Sequence, residues 1–141
     1  MNFIKTEIDG VVIVEPRIFN DARGYFFESY NEAEFIKNGI TNRFVQDNQS
    51  KSSYGVVRGL HCQLGEHSQA KLVRVLSGCV LDVLIQILCG ISTNFFVLFH
   101  RQGQIARALL TRSPLTVLLQ FVRLACVKHA ASVRPEPESN S

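Results

Sequence analysis

Between Val83 and Pro135 the chain contains no aspartate and no glutamate. That absence removes any carboxylate base, acid or metal ligand from the whole stretch. No tyrosine follows Tyr54 and no aspartate follows Asp82, so a phenol acid or a base-orienting aspartate has no candidate later in the chain. None of the four cysteines (Cys62, Cys79, Cys89, Cys126) forms a CxxC pair, which excludes the usual zinc-ribbon and thioredoxin-type spacings. Reduced thiols of a cytoplasmic protein are the expectation. An HxH pair, the usual start of a barrel-type metal site, is also missing: His61 and His67 are separated by the turn-like Leu64-Gly65-Glu66, so no metal is expected. The longest apolar stretch, Val83 to Phe99, is broken by Gln86, Gly90, Ser92, Thr93 and Asn94. It falls short of the about 20 apolar residues of a membrane span. Met1 to Gly10 carries Lys5, Glu7 and Asp9, unlike a secretory leader.

What is present describes a soluble globular chain. Its 141 residues are 46% hydrophobic and 19% charged, with a net charge of +3, enough apolar content for one core. The charge is uneven. Met1 to Asp82 holds 10 acidic and 9 basic residues, whereas Val83 to Pro135 holds six basic ones: Arg101, Arg107, Arg112, Arg123, Lys128 and Arg134. Leu, Val and Phe dilute those cations and no nucleic-acid fold signature accompanies them, so no nucleic-acid partner is expected.

Short strand patterns fill the first part. Val11 to Pro16 is β-rich, Asn20-Asp21-Ala22-Arg23-Gly24 reads as a turn, and Tyr25 to Tyr30 as a strand. Asn31 suits an N-cap for a short helix through Lys37, stopped at Gly39. Phe44 to Gln49, Gly55 to Gln63 and Lys71 to Leu76 are further strand candidates. Gly78 punctuates the last of these before an alternating run from Cys79 to Ile87. Many short strands with one short helix predict an all-β sandwich or barrel. After Ile87 neither period is clean and Pro114 interrupts any single helix. The reading is therefore three parts: strands over 1–87, an irregular hydrophobic and basic segment over 88–133, and a disordered tail over 134–141.

The chemistry concentrates in Val56 to Gln63. His61 is a candidate general base, since imidazole titrates near neutrality. Arg58 offers a fork suited to phosphate, and Lys71 a point charge for a developing oxyanion. Positions 58 and 61 have opposite parity, so a regular strand would place them on opposite faces. A shared pocket therefore requires an irregularity, for which Gly59 is the natural place. Gln46 and Asn48 share parity, as do Phe26 and Glu28, and each pair can line one face. The ordinary alternatives are a backbone-bonded strand histidine, solvated surface cations and cross-strand packing. Cys62 reads as a structural thiol.

Several motifs stand in a fixed order: Phe19-Asn20-Asp21-Ala22-Arg23-Gly24-Tyr25-Phe26-Phe27-Glu28, Phe44-Val45-Gln46-Asp47-Asn48-Gln49-Ser50, Gly55 to Gln63, then Lys71-Leu72-Val73-Arg74-Val75 with Gly78 and Asp82. Together they resemble the dTDP-4-dehydrorhamnose 3,5-epimerase family over about residues 1–87. The resemblance implies a cupin-type jelly roll and a cofactor-independent isomerase of dTDP-rhamnose biosynthesis. It also implies a homodimer whose N-terminal segment reaches the partner's site. The substrate implied is a dTDP-4-keto-6-deoxyhexose. His61 matches the family's base and Lys71 the residue that stabilises the enolate, while Arg58 and Arg23 match contacts to the diphosphate. Phe19, Phe26, Glu28, Gln46 and Asn48 fall on substrate-pocket positions, with Arg23, Phe26 and Glu28 serving the neighbouring subunit.

The same resemblance exposes a departure. The family's Pro-x-Gly-Phe-Ala-His-Gly-Phe motif, its tyrosine acid and the aspartate that pairs with its base have no counterparts after Ile87. An incomplete barrel and impaired turnover are the expectation. The alternatives are a noncatalytic sugar-nucleotide-binding or oligomerising remnant and, less favoured without HxH, a metal-dependent cupin oxygenase. A shifted reading frame accounts for the simultaneous loss of motifs, acidic residues and strand pattern. Codons exist for Arg112 to Leu119 that read, one base over, as Phe-Ala-Ser-His-Gly-Phe. The gene's nucleotide sequence decides it: family motifs are expected in the shifted frame beyond about codon 87.

Overall fold

The computed structural model describes the backbone of residues 1–61, 69–87, 93–101, 108–111 and 116–133, and side chains over 1–59 and 69–84. Ten strands and one helix make up these residues: β1 (Asn2–Lys5), β2 (Val11–Glu15), β3 (Ile18–Asp21), β4 (Gly24–Phe27), α1 (Glu32–Lys37), β5 (Gln46–Ser52), β6 (Val57–His61), β7 (Ala70–Ile87), β8 (Thr93–Arg101), β9 (Ala108–Thr111) and β10 (Thr116–Val133). Eight strands form one antiparallel sheet in the order β1-β2-β9-β7-β10-β5, with β6 added on β10 and β8 on β7; β3 and β4 form a separate hairpin.

The segment expected to be irregular contains β8, β9 and β10. β7 is paired on both edges, to β10 along one and to β8 and β9 along the other. β10 lies between two neighbours, β7 on one side and β5 and β6 on the other. It reads poorly as a strand because Val117, Leu118, Leu119, Phe121 and Val122 are apolar at both parities, with no alternation. β7 likewise runs through Gly78, where two strands are expected. Gly78 adopts φ +89, and the β7–β10 register slips between Val122 and Lys128. The glycine therefore marks a bulge inside one long strand.

That bulge reverses which residues face inward. Before it, Val73 is buried with its i±2 neighbours Lys71 and Val75 half-buried; after it, Val80, Asp82 and Leu84 are buried. Leu84 packs with Ile8, Val11 and Ile13, and Val80 with Val56 and Val75. The two halves of the long strands thus fold over one another with an apolar interior between them. In the run from Cys79 to Ile87, the inward face is the one that carries Asp82.

α1 seals the outside of the first half. Its N-cap is Asn31, whose side chain accepts the Glu34 amide at 3.2 Å, an interaction of about 1 kcal/mol. Glu32 and Glu34 in the first turn and Lys37 in the last complement the helix dipole. Gly39 follows at φ +78, the left-handed conformation that ends a helix. Phe35 is buried with Val14, Ile40 and Leu72, and its ring meets Tyr30 at 4.8 Å and Phe3 at 5.2 Å between centroids. Burial in this cluster raises the Tyr30 hydroxyl pKa above 10.0.

Candidate active site

Directly opposed residues of an antiparallel pair lie on the same face, so the registers order the inner face row by row. Gln46, Ser132, Lys71, Thr111 and Val11 form one row, running β5-β10-β7-β9-β2. Asn48, Ala130, Val73, Leu109 and Ile13 form the next. Beyond the bulge, Arg58 opposes Gln120, which opposes Asp82, and His61 opposes Leu118, which opposes Leu84.

The last two rows depend on an irregularity in β6. Gln120 pairs with Arg58 and Leu118 with His61, so two steps along β10 correspond to three along β6. The extra residue lies at Gly59 and Leu60, and Gly59 has φ +117, a conformation glycine adopts freely and other residues rarely. This bulge gives His61 the register face of Arg58, which the parity of a regular strand forbids.

The folding-over then brings distant rows together. Leu84, in the His61 row, packs on Val11 and Ile13, the former in the Lys71 row. The His61 and Lys71 rows therefore face each other across the interior, where facing layers stand about 10 Å apart. Arg58 is fixed near the bend: its Nε donates to Ser52 Oγ at 3.0 Å. Gln46 Nε2 approaches Asn48 Oδ1 at 3.5 Å, a long contact consistent with their shared face. Gln46, Asn48 and Arg58 are exposed and Lys71 is half-buried. Several inner-face polar residues were not among the sequence candidates, and two of them are buried: Ser52, signalled only by its place two steps beyond Ser50, and fully buried Asp82.

The other four candidates stand apart, on and beside the β3–β4 hairpin. Phe19 and Phe26 are a cross-strand pair with centroids 6.4 Å apart, and both are exposed, at 49% and 69%. The Arg17 guanidinium lies over the Phe19 ring at 4.9 Å. At the turn, Asp21 Oδ1 accepts the Arg23 amide at 2.8 Å and Oδ2 the guanidinium Nη2 at 2.6 Å. The Arg23 side-chain bond holds the Asp21 carboxyl below its ordinary value. Glu28 accepts from Asn31 Nδ2 at 2.9 Å. The chain therefore groups Gln46, Asn48, Arg58, His61 and Lys71 on one inner face and presents Phe19, Arg23, Phe26 and Glu28 outward. Glu66 and His67, weighed as metal ligands, lie outside the described residues. No helix among the described residues is long and apolar enough to cross a membrane.

A long-stranded antiparallel sheet folded over an apolar interior is a cupin-type jelly roll. More narrowly, the chain belongs to the dTDP-4-dehydrorhamnose 3,5-epimerase family, whose profile matches residues 5–98, beyond the expected limit at Ile87. It is 54% identical over 85 residues to the Methanothermobacter thermautotrophicus dTDP-4-dehydrorhamnose 3,5-epimerase, covering 60% of this chain and 45% of that protein. With the Escherichia coli enzyme of the same name it shares 53% over 88 residues, covering 62% and 48%. The chain thus spans about half the length of the curated relatives it matches.

Structural similarity reaches further. The crystal structure of the Elizabethkingia anophelis dTDP-4-dehydrorhamnose 3,5-epimerase superposes with a TM-score of 0.86 at 35% identity, covering 98% of this chain and 76% of that one. The Legionella pneumophila epimerase in complex with dTDP-4-keto-L-rhamnose gives 0.84 at 36% identity, covering 96% and 73%. The structural match thus extends beyond residue 98, where the family profile ends.

Proposed function

We propose that this chain binds a dTDP-4-keto-6-deoxyhexose and abstracts a proton beside its 4-keto group, the first half of a cofactor-independent 3,5-epimerisation in dTDP-L-rhamnose biosynthesis. The observation that supports it most directly is the facing of the His61 and Lys71 rows, set by the Gly59 bulge and the Leu84–Val11 contact. A keto group acidifies the hydrogens on its neighbouring carbons. His61 removes one as general base, and the Lys71 ammonium stabilises the enolate oxygen that forms. Arg58, braced through Nε by Ser52, turns its remaining guanidinium donors to the diphosphate. Gln46 and Asn48 hold the substrate along the same face.

Phe19, Arg23, Phe26 and Glu28 complete a neighbour's site in a cytoplasmic homodimer. The support is their outward position on the hairpin, where an exposed Phe19–Phe26 pair leaves apolar area for a second copy to cover. Epimerisation also needs a proton returned to the opposite face.

Deuterium incorporation into dTDP-4-keto-6-deoxyglucose in deuterated water tests the base. Exchange is expected in the intact chain and lost in His61→Ala; no exchange by the intact chain removes catalysis. A second reading, a sugar-nucleotide-binding protein without turnover, rests on the cations Arg58 and Lys71 that the inner face carries. Calorimetric binding of dTDP with no exchange would establish that reading.

A further inference from the structure

The segment after Asp82 carries cations and no anions as far as Pro135, and the strand registers place one of those cations on the inner face. Lys128 opposes Ser50 of β5 and Val75 of β7. Ser50 is in the i, i+2 series of Gln46, Asn48 and Ser52, and Val75 is in that of Lys71 and Val73. Val75 also packs with inward Val80. Two independent pairings thus assign Lys128 to the inner face. Its level is defined too. Cys126, two residues before it, opposes Ser52, whose hydroxyl accepts Arg58 Nε. Lys128 is one same-face step from the row that anchors Arg58, at the bend, while Lys71 stands two same-face steps further along.

We propose that Lys128 is an anion-binding residue of this chain's own, paired with Arg58 around the diphosphate of a nucleoside diphosphate. The inference rests on the substrate reading above. A diphosphate carries enough negative charge to engage two cations, so a second cation on the face that holds Arg58 adds to its binding. Removing either should weaken diphosphate binding. It should also flatten its salt dependence, because one fewer ion pair is screened.

Titration calorimetry with dTDP at several salt concentrations tests this on the full chain, with folding checked by thermal unfolding. Lys128→Met and Lys128→Gln are expected to weaken dTDP about tenfold, the scale of one charge-assisted hydrogen bond, and to reduce the salt slope. Lys128→Arg should stay within about twofold, because it keeps the charge. Lys51→Met is the control: Lys51 opposes Val127, on the other face of β5, and its loss should leave binding unchanged. Unchanged affinity and salt slope in either uncharged Lys128 variant overturns this inference alone. An equal loss in Lys51→Met overturns it as well, because the effect is then net charge and not the site. Failure of the unsubstituted chain to bind dTDP overturns the substrate reading and this inference with it.

Discussion

Gly59 decides whether His61 can act with Arg58, and two changes at that residue should have opposite outcomes. In the native register Val57 opposes Phe121, Arg58 opposes Gln120 and His61 opposes Leu118, leaving Gly59 and Leu60 together against Leu119. Gly59→Val places a β-branched residue at φ +117, which costs on the order of 1–3 kcal/mol. Escape from that strain is a regular ladder in which Leu60 opposes Leu118 and His61 moves to the opposite face. At 1.4 kcal/mol per factor of ten, the bulged register loses about 5- to 150-fold in population relative to the regular one. Deuterium exchange into the keto sugar should fall by up to that factor. Deleting Gly59 also makes the ladder regular, but it leaves Arg58 and His61 two residues apart and therefore on one face. The deletion should retain exchange where the substitution loses it, with urea unfolding confirming that both fold. Wild-type exchange by Gly59→Val, or loss of exchange in a folded deletion variant, would refute the assignment of the bulge as the device that aims the base.

Three further outcomes follow from the same registers and contacts. Phe35→Ala should destabilise the chain by about 3–5 kcal/mol, since Phe35 is buried against Val14, Ile40 and Leu72 and joins three other rings, those of Phe3, Tyr30 and Phe44; the urea midpoint reads it, and a change below about 1 kcal/mol would show that α1 does not seal this face. The Asp21–Arg23 turn should be pH-sensitive in one direction. Asp21 is held below its ordinary 3.8 by Arg23, so the turn's contribution is complete above that value and disappears as pH falls through the lowered one. The Arg23 amide resonance should shift in that acid window, and the shift should vanish in Asp21→Asn. In a homodimer with exchanged hairpins, mixing inactive His61→Ala with Phe26→Ala subunits should regenerate exchange, because one of the two sites in the heterodimer is then intact; no recovery in the mixed dimer would assign the hairpin to its own subunit.

Sequence order alone carried the local features. Asn31 and Gly39 bracket α1 because capping and left-handed glycine act within a few residues. The turn at Asp21 to Gly24 forms between paired strands, and the motif order from Phe19 to Asp82 points to the family whose profile covers residues 5–98. An irregularity at Gly59 was also legible, since two chemically related residues of opposite parity cannot otherwise share a face. The sequence did not reveal that Gly78 lies inside one strand, or that the span beyond Ile87 supplies β8 to β10. Val117, Leu118, Leu119, Phe121 and Val122 are apolar at both parities of β10, so the alternation by which strands are recognised is lost. Nor does spacing along the chain bring His61 and Lys71 to facing rows or place Lys128 between Ser50 and Val75. Those neighbours are set by inter-strand register and by the fold-over at the β7–β10 bulge, both of which join residues remote in sequence, so only the tertiary structure could decide them.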